Sequence, residues 1–223
     1  MKKLRIGFIA PRRQARKERP ALISPNLGAL CVFARVTVLL VLSPATALAH
    51  EQAGAAAGFL NGLAHPISGL DHVIAMVAVG LWGAQLGAPA MFLLPVAFPM
   101  VMAFGGALGL MGVPLPGIEV GIAVSAVMLG GAVLANSQPR LWVALVLVGF
   151  FAIFHGHAHG TELPPGQSGL LYSIGFVVAT GLLHAFGILL GSVYRWPVGR
   201  VTLRAAGALI SIAGMVFLWR AVS

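Results

Sequence analysis

Nine consecutive residues, Phe154 to Glu162, read FHGHAHGTE and place His155, His157, His159 and Glu162 at the end of a long apolar run. At about 100° per residue, His155, His159 and Glu162 fall within roughly 60° of one another on a helix. That stripe can offer two nitrogens and an oxygen to one cation. His157 points nearly the opposite way. A second cluster, HPISGLDH, spans His65 to His72 and holds Asp71. On a continuous helix His65 and His72 share a face while Asp71 points away. Pro66 and Gly69 weaken the helix between them, so a bend or break is expected here. Such a break would either turn Asp71 inward or leave it to orient a neighbouring imidazole.

The elements that carry these residues must be membrane helices. Of 223 residues, 59% are hydrophobic and 9% charged, against about a quarter charged in soluble domains. Several apolar runs approach the roughly 20 residues that cross a bilayer, and the alternation of a membrane barrel is missing. Pro, Gly and sparse charges divide the chain after residue 50 into six segments, near 55–84, 90–111, 117–135, 140–158, 168–193 and 201–221. The expected fold is all-α, a single domain of six transmembrane helices over residues 50–223. Gly105/Gly109 and Gly156/Gly160 have the small-xxx-small spacing that lets membrane helices pack closely.

Residues 1–49 carry nine of the 14 Lys and Arg residues. A basic start, the apolar run VTVLLVLSPATALA and the ending Ala47-Leu48-Ala49 form the pattern of a signal peptide, with cleavage predicted after Ala49. The basic excess therefore reads as targeting, and no nucleic-acid partner is expected. Cys31, the only cysteine, lies in this segment, which leaves no thiol for disulfides or thiolate ligands in the mature chain. Arg140, Arg195, Arg200 and Arg204 fall at loops on one side, with only Arg220 on the other. The positive-inside rule then places the mature N-terminus and the C-terminus outside.

Ionisable groups in membrane spans mark sites or paths. Here the imidazoles and carboxylates face no Lys or Arg within the spans, and a metal cation would supply the missing positive charge. Nitrogen and oxygen donors without sulfur suit Ni²⁺, Co²⁺ or Zn²⁺. Candidate ligands are His65, Asp71, His72, His155, His159 and Glu162. Depth orders them: His155, His159 and Glu162 toward the outside, His65, Asp71 and His72 nearer the middle, His184 nearest the cytoplasm. Glu119 reads as a boundary residue and His184 as a core residue. The methionines show no repeated metal-binding pattern.

The ending ALAH, HPISGLDH in the first mature span and FHGHAHGTE in the fourth resemble the HupE/UreJ family over residues 48–223. The resemblance implies a secondary permease of the bacterial inner membrane that takes up nickel, with cobalt as second candidate. The ion is cargo rather than a prosthetic group, and hydrogenase or urease maturation proteins are the implied partners. Two other classes compete: a metal-binding accessory or sensor protein, and a zinc-dependent intramembrane hydrolase. HExxH is absent and no Ser or Cys nucleophile stands beside a His, so a non-enzyme is expected.

Overall fold

The computed structural model describes residues 55–163 and 167–223; Cys31, the predicted cleavage after Ala49 and His50 lie outside them. All described elements are helical: α1 (Ala55–Ser68), α2 (Leu70–Leu86), α3 (Ala90–Leu110), α4 (Ile118–Ala135), α5 (Leu141–Thr161), α6 (Gly169–Gly191), a 3₁₀ turn (Ser192–Arg195) and α7 (Pro197–Val222). Five helices are individually long and apolar enough to cross a membrane. α1 and α2 qualify together as a sixth span, bent by 83°. The all-helical membrane fold expected from the sequence is observed, with its first span broken.

Local sequence explains the boundaries. Gly69 separates α1 from α2 and donates no side chain to either helix. Asn136 closes α4 in the left-handed region, φ 52°, a conformation that its short polar side chain tolerates. α7 opens on Pro197, whose missing N–H costs nothing at a first helical position.

Glycine decides which helices touch. A Cβ built on Gly156 would strike the Met102 carbonyl, and one on Gly160 would strike Gly106. From the other side, Gly105 faces Ile153 and Gly109 faces His157 and Gly160. α3 and α5 therefore run parallel in backbone contact, through the two glycine pairs that the spacing singled out. Gly80 and Gly187 join α2 to α6 in the same parallel sense, while Gly130 and Gly207 join α4 to α7 antiparallel. Gly62 and Gly175 seat α1 on the first half of α6. Trp82, Met76, Leu94, Phe98 and Leu129 fill the centre, and Phe92, Met100, Trp142 and Leu189 stay on the surface. An apolar exterior over a packed interior is what a lipid solvent requires.

Gly156→Leu should lower the thermal stability of the purified protein in detergent. The contact is backbone to backbone, so the loss should reach or exceed the roughly 1–3 kcal/mol of overpacking. Gly181→Ala, where an added Cβ meets nothing within 4 Å, should leave the melting temperature unchanged or slightly raised.

Candidate metal centre

The centre grows from the broken first span. Asp71 lies in the first turn of α2, where a carboxylate complements the exposed amides of a helix N-terminus. Its Oδ1 accepts from the backbone N–H of His72 at 2.9 Å and pairs with His72 Nδ1, also at 2.9 Å. With Nδ1 protonated toward the carboxylate, His72 presents Nε2 as a lone pair. Asp71 thus takes the orienting role rather than turning inward. The joint is tight: a Cβ at Gly69 would come within 2.9 Å of Asp71 Oδ1 and 3.0 Å of His72 Nδ1.

On α5, His155 is fully buried, and its Nδ1 donates to the Phe151 carbonyl at 3.0 Å. This again leaves Nε2 as the free nitrogen. The two rings, His72 and His155, stand 4.9 Å apart between centroids, and neither Nε2 has a hydrogen-bond partner. His159, one turn along α5, lies 4.5 Å from His72 and 4.7 Å from His65. Neither of its nitrogens makes a hydrogen bond. Imidazole nitrogens buried without partners are costly in an apolar interior.

Glu162 ends α5. His65 Nε2 donates to Glu162 Oε2 at 2.9 Å, and His159 Nδ1 lies 3.7 Å from the same oxygen. These two histidines hold the Glu162 carboxyl well below the usual carboxylate range. One ligand atom each from His65, His159 and Glu162 can be chosen so that all three lie within 4.8 Å of one another. That set can close on a cation as two nitrogens and an oxygen.

This grouping changes two expectations. The stripe His155, His159 and Glu162 does not converge on one point, because the α5 helix puts His155 a turn deeper, against His72. His65, expected nearer the middle, joins Glu162 at the end of α5. The 83° bend is the reason: it swings α1 away from the line of α2 and lays His65 over the C-terminus of α5.

The remaining polar groups sort themselves. His157 Nε2 donates to the Val113 carbonyl at 2.6 Å and anchors the loop after α3, away from the other imidazoles. Glu119, in the first turn of α4, lines a cavity of about 400 Å³ together with Glu162, Thr161 and Ala158. Two carboxylates on one cavity wall give it a negative lining. Sequence reasoning left Glu119 at a boundary, since nothing in GIEVG announces a partner on α5. It also passed over the aromatic wall: Tyr172 and Phe176 of α6 lie against His65, and Phe176 lies 4.3 Å from His159.

A bundle of apolar helices around a line of buried imidazoles defines a polytopic membrane protein with ionisable groups in its interior. Comparison with known proteins agrees on the class: residues 38–217 match the family model described as HupE / UreJ protein, and the chain belongs to that family. It is 43% identical over 187 residues to Protein HupE of Rhizobium leguminosarum bv. viciae, covering 83% of this chain and 98% of that one. No solved structure matches.

Two substitutions separate liganding from anchoring. Glu162→Gln should weaken binding of a divalent transition metal to the purified protein by at least roughly tenfold, read by equilibrium dialysis. His157→Ala should lower thermal stability and leave that affinity within about twofold, because its ring is spent on a backbone carbonyl. Equal affinity losses in both would contradict the division.

Proposed function

We propose that this chain is a secondary permease of the bacterial inner membrane that carries Ni²⁺ inward, with Co²⁺ as the second candidate cargo. One observation supports the reading above all: the carboxylate-and-imidazole group at the end of α5 continues inward as His159, His72 and His155, each presenting a free, buried nitrogen. A fixed structural or hydrolytic metal needs one closed or nearly closed shell. A carrier needs successive partial shells, each strong enough to admit the ion and weak enough to release it.

In this reading Glu119 and Glu162 draw the hydrated cation to the outer mouth. His65, His159 and Glu162 replace part of its water shell. The next ligands are His72 Nε2, set by Asp71, and His155 Nε2, set by the Phe151 carbonyl. Both lone pairs are aimed before the ion arrives, so little ordering cost remains at binding. Aromatic and aliphatic walls keep bulk water and other paths away. The distribution of Arg residues and the signal-peptide pattern support entry from outside, with both mature termini on that face. Nitrogen donors favour nickel and cobalt over Mg²⁺ and Ca²⁺, which call for oxygen. Membership of the HupE/UreJ family supports nickel among the borderline ions, and hydrogenase or urease maturation as its destination.

Uptake of radioactive Ni²⁺ into proteoliposomes tests the proposal. The wild type should accumulate the ion, a large excess of Mg²⁺ should not compete, and Co²⁺ should. His159→Ala should cut the initial rate at least roughly tenfold. Wild-type vesicles that bind nickel without accumulating it would sink the permease reading and favour a sensor or accessory role.

A further inference from the structure

The histidine row stops short of the other end of the bundle. Beyond His155 stands Phe98 of α3, its ring centroid 5.4 Å from His155 and 5.4 Å from His184. His184 belongs to α6, is fully buried, and makes no hydrogen bond through either ring nitrogen. It continues a stripe on α6: Tyr172, Phe176, Thr180 and His184 recur every four residues. The first two lie against His65 and His159, and the last lies against Phe98. At 1.5 Å per residue, His184 is about 12 Å further along the helix than Phe176.

Two further polar groups accompany it. Thr180, one turn before His184 on the same face, is fully buried, and its hydroxyl has no partner. The Pro95 carbonyl of α3 lies beside the His184 ring without closing a hydrogen bond to it. Its helical donor would be residue 99, but Pro99 has no N–H, so that carbonyl is released from the α3 ladder. Freed carbonyls next to polar side chains are how membrane helices assemble ion sites. A buried imidazole and a released carbonyl thus lie past Phe98, with a buried hydroxyl one turn before the imidazole.

We propose that His184, Thr180 and the Pro95 carbonyl form an inner cation station, which takes a borderline divalent metal from His155 past Phe98 and delivers it to the inner face. The inference rests on the permease reading and adds the last ligand set. The outer row alone leaves the ion in an apolar stretch with no donor, the most costly place for a charge in a bilayer. A station there shortens that gap.

The test uses the full chain in nickel-loaded assays with two readouts, equilibrium binding of Ni²⁺ to detergent-purified protein and uptake into proteoliposomes. His184→Gln keeps the volume and polarity of the site but loses the imidazole. It should bind Ni²⁺ within about twofold of wild type, because the outer ligands are intact, while uptake falls at least roughly tenfold. Thr180→Val, nearly isosteric, should show a smaller uptake loss, roughly threefold, with binding unchanged. His184→Gln uptake within twofold of wild type would overturn the inner station while leaving the permease reading intact. Parallel loss of binding and uptake in His184→Gln would make His184 a packing residue and overturn the station as well, and a Thr180→Val protein that transports like wild type would overturn the hydroxyl's place in it. Absence of uptake by the wild type is the separate result that removes the permease reading.

Discussion

Direct backbone contact between α3 and α5 is the constraint from which the site follows. Gly156 and Gly160 strip one face of α5 of side chains and press it on α3. The neighbouring face, carrying His155 and His159, is then fixed in azimuth and can only look toward the bent first span and α6. Lipid supplies no hydrophobic drive for helices to associate, so close small-residue packing must do so. A larger residue at 156 would push the helices apart and move both imidazoles with them.

Electrostatics depends on this rigidity in turn. Among the described residues the interior offers no Lys or Arg to balance a carboxylate, and every imidazole there has been given at most one fixed acceptor. Asp71 and the Phe151 carbonyl each orient a ring without consuming its second nitrogen. The result is a line of donors of lone pairs rather than a closed network. His157 shows the contrast: a 2.6 Å bond to the Val113 carbonyl ties a loop.

Much of this was legible in the sequence because the signals are local. Span limits follow from Pro, Gly and Arg; the close-packing faces of α3 and α5 follow from glycine spacing, though not that they meet each other; the weak point at Pro66–Gly69 follows from backbone chemistry; and His157 is set apart by helical angle. The partners of Glu162 were not legible. Periodicity assigns a face within one helix, but it carries no value for the angle between α1 and α2, and that angle brings His65 to the end of α5 instead of the middle. Glu119 reads only as a boundary residue for the same reason, since its neighbour Glu162 is 43 residues away. Thr180 and His184 share a four-residue stripe with Tyr172 and Phe176 that spacing alone could have revealed. The significance of the stripe needed Phe98 to connect it to the row.

The elbow at Gly69 has a mechanical consequence. Its two arms carry His65 on one side and His72 on the other, while a Cβ at the vertex would crowd Asp71 Oδ1 and His72 Nδ1. Any change in the angle between α1 and α2 must therefore alter the span between the two imidazoles. Conversely, a charge that draws one imidazole closer applies torque to the elbow. The distance between the two imidazoles and the posture of the first span are therefore one coupled quantity.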